Sequence, residues 1–208
     1  MTSDMKVVGR PSSAVALLRR MEKSRVERRK SPRPSSLNSR LKAVRLFLCD
    51  VDGVLTDGSI FIGGAQETKR FNIRDGLGLV FLRRAGIKTG WVSSRPSPAT
   101  TLRARELKID FLVQQKDNLG KVDAVENLLR RTKLGWSAVC FIGDDVVDLG
   151  PLQRAGFAVA VANAVSEVKA AAHHVTRAAG GHGAVREAVE MILKAQGKWD
   201  SLIAVYRK

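Results

Sequence analysis

The sequence predicts an α/β fold built on a doubly wound parallel sheet. Short apolar runs alternate with helical patterns from residue 46 to 196, with short connections between them. The first of these runs, Leu46-Phe47-Leu48-Cys49, is apolar at every position, as a strand covered on both faces must be. Several runs stop on charged or hydroxyl residues, which places polar groups along the carboxyl edge where open α/β sheets bind ligands.

The chain has 208 residues and an ordinary apolar content of 44%. That suits one domain with an extension. The net charge of +16 is unevenly spread. Residues 1–45 hold thirteen Lys/Arg and three Asp/Glu, so they supply +10 of it. Residues 1–43 therefore read as a basic, disordered leader, ending in the Ser31-Pro32-Arg33-Pro34-Ser35-Ser36 run. Nucleic acid is not the expected partner, because the basicity belongs to this leader and not to the domain. No apolar run approaches membrane-spanning length, so no membrane is expected either. Cys49 and Cys140 both lie in apolar runs and read as buried thiols in a reducing cytoplasm.

The domain is read over 44–198. After the first strand, Ser59 to Ile62 and Gln66 to Phe71 flank Gly63-Gly64 and predict a β-hairpin flap. A helix follows from about Leu77 to Ala85, stopped by Gly86. Ile87 to Val92 is a strand, Pro98 to Leu107 a helix and Phe111 to Val113 a third strand. A helix opens near Lys121 and runs to Arg131, and Ala138 to Ile142 is the fourth strand. Leu149 to Ala155 is helical and Phe157 to Ala160 is a strand. Val165 to Ala172 is helical, Val175-Thr176 a short edge strand, and Ala184 to Gln196 an amphipathic helix. Residues 199–208 read as a tail.

The chemistry begins at Asp50 and Asp52, one residue apart at the end of the first strand and followed by Gly53. Two carboxylates that close, at the rim of an apolar core, repel each other unless a cation lies between them. A divalent metal follows. Three further strand ends add Ser93 and Ser94, then Lys121, then Asp144, Asp145 and Asp148. A lysine in the first turn of a helix sits at the wrong end for the helix dipole, so its position asks for an anion. A carboxylate nucleophile, a hydroxyl, an ammonium and a metal-binding acid pair together suit phosphoryl transfer through an aspartyl phosphate. Mg²⁺ would offset the repulsion between phosphate and carboxylates.

The order D-x-D-G-V-L-T-D-G, Ser-Ser-Arg, Lys and G-D-D-x-x-D resembles the haloacid dehalogenase superfamily. The segments Asp50 to Gly58, Phe71 to Gly76, Gly143 to Asp148 and Val175 to Glu187 resemble, more narrowly, the cap-less 3-deoxy-D-manno-octulosonate 8-phosphate (KDO 8-phosphate) phosphatases. The resemblance implies Asp50 as nucleophile and Asp52 as general acid/base, with the Asp52 backbone carbonyl on the metal. It also implies Ser93 and Lys121 as phosphate contacts, Asp144 as metal ligand and Asp148 as a supporting acid. Asp145 is a candidate supporting residue or alternate metal contact. Arg74 and Arg95 are candidate substrate contacts on charge and location. The spacing leaves no room for a cap, since about 43 residues separate Asp50 from Ser93 and about 28 separate Ser93 from Lys121.

Two departures stand out. Ser94 replaces the family's usual glycine, and His182 stands where arginine is common. The resemblance further implies a homotetramer in which the hairpin packs between subunits, and a glycine-rich segment at 178–183 that reaches a neighbouring site. The expected substrate is a phosphorylated sugar acid, KDO 8-phosphate foremost. Another ulosonate such as acylneuraminate 9-phosphate, and a non-catalytic binding subunit on the same fold, remain open alternatives.

Overall fold

The computed structural model describes residues 36–61, 67–115 and 121–207. Six strands form one sheet: β1 (Leu46–Cys49), β2 (Lys88–Ser93), β3 (Phe111–Gln114), β4 (Val139–Gly143), β5 (Phe157–Ala160) and β6 (His174–Val175). Their order is β3-β2-β1-β4-β5-β6, and every pairing is parallel. The chain winds outward from β1 in one direction and then returns to the other side of β1 through β4. The switch point therefore lies between β1 and β4, whose Cys49 and Ile142 are in register. That topology brings Asp50 and Asp144, distant in sequence, to adjoining strand ends.

β1 is apolar throughout because it is covered throughout. Leu46, Phe47, Leu48 and Cys49 are all fully buried, as are Val139 to Ile142 beside them. The helices are α1 (Leu37–Ala43), α2 (Ile73–Arg84), α3 (Pro98–Leu107), α4 (Lys121–Thr132), α5 (Leu149–Arg154), α6 (Ser166–Ala171), α7 (Ala184–Ala195) and α8 (Trp199–Ala204). α7 buries one stripe, Val185, Ala188, Val189, Ile192 and Leu193, and packs chiefly on α2.

The boundaries differ from the sequence reading in three places. Residues 37–43, read as part of the leader, form α1. Ser36 and Ser39 cap it reciprocally, and its single buried apolar residue, Leu41, has α7 to pack against. Gln196 Nε2 also donates to the carbonyls of Leu41 and Val44, at 3.1 and 3.0 Å. Residues 199–204, read as tail, form α8, with Trp199 edge-on to Phe81 at 5.7 Å between centroids. α2 begins at Ile73 because the Asn72 side chain accepts from the Arg74 N–H at 2.8 Å.

The flap is represented by one antiparallel bridge, Phe61 to Thr68. Its Gly63-Gly64 turn and Gln66, like most of the leader and the residues just before Lys121, lie outside the described residues. No second domain interrupts the sheet among the described residues, in keeping with the cap-less reading.

Candidate active site

At the β1–β4 junction the carboxyl groups of Asp50, Asp144 and Asp148 lie with oxygens within 4.8 Å of one another. Asp50 follows β1 and keeps its backbone in the sheet, donating its N–H to the Ile142 carbonyl at 3.0 Å. Lys121, the first residue of α4, reaches into the cluster with its ammonium 3.1 Å from Asp50 Oδ1 and 2.7 Å from Asp148 Oδ1. Asp148 is wholly buried and also accepts from the Asp144 N–H at 3.0 Å. One acid thus anchors both the lysine and the loop that carries Asp144.

Three carboxyl groups and one ammonium leave a negative excess in a site shielded from water. Burial first, and then the Asp148 charge, push Asp50 up to about 7 despite Lys121. Burial, then Asp50 and Asp148, push Asp144 up to about 8. Burial works against the charged form of Lys121, but Asp50 and Asp148 outweigh it and hold the ammonium above its ordinary range.

The residues fit a hard divalent cation. Asp144 Oδ1 is buried and has no hydrogen-bond partner among the described residues. Gly53, at φ +94°, keeps the space beside Asp144 clear: a Cβ there would lie 2.0 Å from Asp144 Oδ2. An all-oxygen set of clustered carboxylates is what Mg²⁺ takes.

Not every residue singled out in the sequence joins this cluster. The Asp52 carboxylate turns away and pairs with Lys69, Nζ to Oδ1 at 2.5 Å. Asp145 is exposed and caps its own turn, accepting from the Val146 N–H at 2.7 Å. Ser93 is buried at the end of β2, with its hydroxyl donating to the Arg95 carbonyl and accepting from the Arg95 N–H, both at 3.0 Å. Ser97, not Ser93, caps the following helix. Ser94 Oγ is buried without a partner among the described residues. The Arg95 guanidinium pairs with Glu67.

Arg74 lines a groove of about 320 Å³ between α2 and α3, with Ile73, Leu77, Arg103 and Leu107. The glycine run at 178–183 lies against its own chain. Gly181 donates to the Val54 carbonyl at 2.9 Å and Gly180 to Asn163 Oδ1 at 2.8 Å. The approach is so close that a Cβ on Gly180 would lie 1.7 Å from the Gly53 carbonyl oxygen. His173 and His174 lie at the start of β6. His173 Nδ1 accepts from the Ala158 N–H at 2.8 Å, and His174 Nε2 is 3.7 Å from Glu187.

Lys69 and Glu67 were not legible as site residues. They sit on the return side of the hairpin, where alternation predicts solvent and a strand edge. The Lys69 side chain is only 2% exposed. The one sequence signal was their place a few residues before the Phe71-to-Gly76 motif.

Residues 115–188 match the family model for haloacid dehalogenase-like hydrolases. The chain is 36% identical to the KDO 8-phosphate phosphatase of Escherichia coli (strain K12) over 170 residues, which are 81% of this chain and 89% of that protein. It is 40% identical to the Yersinia pestis enzyme over 156 residues, covering 74% and 82% of the two chains. The chain belongs to the KDO 8-phosphate phosphatase family. A crystal structure of the Moraxella catarrhalis KDO 8-phosphate phosphatase, in complex with a magnesium ion, a phosphate ion and KDO, superposes with a TM-score of 0.78. That pair is 38% identical, over 81% of this chain and 97% of that one. Family membership makes the protein a haloacid dehalogenase-type phosphatase, and the Asp50, Asp144 and Asp148 cluster has the geometry to hold a metal ion.

Proposed function

We propose that this phosphatase hydrolyses KDO 8-phosphate to KDO and phosphate, with Asp50 as the nucleophile. The observation that carries the reading is the buried Asp50–Lys121–Asp148 arrangement beside Asp144, at the switch point of a parallel sheet. Asp50 attacks phosphorus while Lys121 offsets the charge on the phosphoryl oxygens. Asp148 holds Lys121 in place and, through the Asp144 N–H, fixes the loop of the second acid. Mg²⁺, held by Asp50, Asp144 and the Asp52 backbone carbonyl, would supply charge neutralisation between the carboxylates and the incoming phosphate.

Ser93 and Ser94 lie at the end of β2, beside the β1 end that carries Asp50. The unpartnered Ser94 hydroxyl is available to a phosphate oxygen, and Ser93 can exchange its bond to the Arg95 carbonyl for one. Asp52 gives a proton to the ester oxygen as the P–O bond breaks. It then takes one from the water that hydrolyses the aspartyl phosphate. Arg95 serves the substrate's carboxylate if Glu67 yields it.

The reading extends to a cytoplasmic homotetramer. Its support is the family resemblance and, for the compartment, the two fully buried free thiols. Light scattering gives the assembly. The substrate is tested with a panel of KDO 8-phosphate, acylneuraminate 9-phosphate and simple sugar phosphates, each with Mg²⁺ and with EDTA. The expected result is Mg²⁺-dependent turnover with the highest kcat/KM on KDO 8-phosphate. A preference for the nine-carbon acid would move the substrate and leave the chemistry. No release from any ester would overturn the reading.

A further inference from the structure

Asp52 is two residues from Asp50, yet its carboxylate stays out of the acid cluster. Physical reasoning from the sequence alone expects the opposite, because a flexible carboxylate that close to a divalent-cation site is drawn into it. The side chain is turned by Lys69, whose ammonium sits 2.5 Å from Asp52 Oδ1 and is almost wholly enclosed. Burying an ammonium costs several kcal/mol unless it is paired, so Lys69 does not reach inward without a structural return. Its surroundings are built as well. Glu67 lies 3.7 Å from Lys69 and is itself fixed by the Ser97 hydroxyl at 2.7 Å and by Arg95. The return side of the hairpin therefore carries a braced ion-pair chain, Asp52–Lys69–Glu67–Arg95. It couples the loop after β1 to the loop after β2.

We propose that Lys69 is the positioning residue for Asp52, with Glu67 bracing it. Lys69 holds the Asp52 carboxylate outside the metal cluster and facing the ester oxygen. The assignment rests on Asp52 as the proton donor and acceptor of the proposed reaction. Loss of Lys69 frees the carboxylate to swing toward Asp50 and Asp144, where it cannot serve the leaving group.

The test compares two esters that differ in their need for a proton. The alkyl ester KDO 8-phosphate releases a poor leaving group and p-nitrophenyl phosphate a good one. General acid catalysis is worth about 10²- to 10⁴-fold and matters chiefly for the poor one. Asp52→Asn serves as the benchmark and is expected to lose far more kcat/KM, which reports leaving-group departure and not the later hydrolysis of the aspartyl phosphate, on the alkyl than on the aryl ester. Lys69→Met should show the same asymmetry, at least about tenfold, with aryl turnover reporting that the site is still folded. Lys69→Arg, which keeps the charge, should recover part of the alkyl rate. The double variant Asp52→Asn/Lys69→Met should show no asymmetry beyond that of Asp52→Asn.

Equal losses on both esters in Lys69→Met, with the benchmark asymmetric, would overturn the positioning role alone. A benchmark with no asymmetry would overturn the acid/base reading of Asp52 and the role of Lys69 with it.

Discussion

Replacing Gly53 by alanine should damage the metal site more than the fold. Gly53 adopts φ +94°, a left-handed backbone that an L side chain enters at a cost of about 1–2 kcal/mol. For a domain of this size that lowers Tm by roughly 2–8 °C. The larger effect is local. The alanine Cβ would lie 2.0 Å from Asp144 Oδ2 and 2.5 Å from its Cγ, where ordinary contacts begin near 3.4 Å. The carboxylate must retreat by more than about 1 Å, and a misplacement of that order at a reacting centre costs about 10²-fold. Asp144 has no easy retreat, because its own N–H is bound to the buried Asp148. Thermal melts against Mg²⁺ concentration, with initial rates on the same samples, measure both effects. The expected outcome is a folded protein with weakened Mg²⁺ stabilisation and turnover down about 10²-fold. Turnover and Mg²⁺ half-saturation both within about twofold of the parent would refute the claim that Gly53 keeps room for Asp144 and the ion.

Three further outcomes follow from the same geometry. Asp50 and Asp144 sit at about 7 and about 8, above the ordinary value of 3.8. In the metal-free protein these raised groups favour the folded state below pH 3.8, and that contribution is lost as pH rises through 7 to 8. Mg²⁺ needs the ionised forms, so its rise in Tm should be small near about pH 6 and grow toward about pH 9. A rise independent of pH would contradict the acid assignment. Lys121→Met leaves Asp148 buried and unpaired, and should destabilise the fold by about 3–5 kcal/mol in urea unfolding. Adding Asp148→Asn should return part of it. Deleting residues 1–43 removes α1 and exposes the α7 surface over Leu41, a loss of about 2 kcal/mol relative to deleting 1–35. Chemical denaturation of the two truncations side by side reads the difference.

The sheet was legible because a parallel strand covered on both faces leaves few sequence choices, as Leu46 to Cys49 and Val139 to Ile142 show. Asp50, Lys121, Asp144 and Asp148 were legible for a related reason, since each ends a strand or starts a helix at the ligand-binding edge, and the fold brings them together. What escaped depends on tertiary partners. α1 has one buried leucine and needs α7 to be worth forming. The first two turns of α2 carry Gly76 and Gly78, poor helix formers. Both face a neighbouring helix, where a Cβ would meet the Arg103 or Arg186 side chain at 2.5 and 3.3 Å. Lys69 falls in the flap segment, and only its tertiary contact with the loop after β1 makes it a buried partner of Asp52.

The central claim is that Asp50 takes the phosphoryl group. Acid-quenching the protein during turnover of KDO 8-phosphate labelled in its phosphoryl group tests this most directly, with the Asp50→Asn variant alongside. The account predicts Mg²⁺-dependent labelling of the parent chain, released by hydroxylamine as an acyl phosphate is, and neither label nor turnover in Asp50→Asn. Turnover that persists in Asp50→Asn, or a parent chain that turns over under these conditions and never carries label, would contradict it.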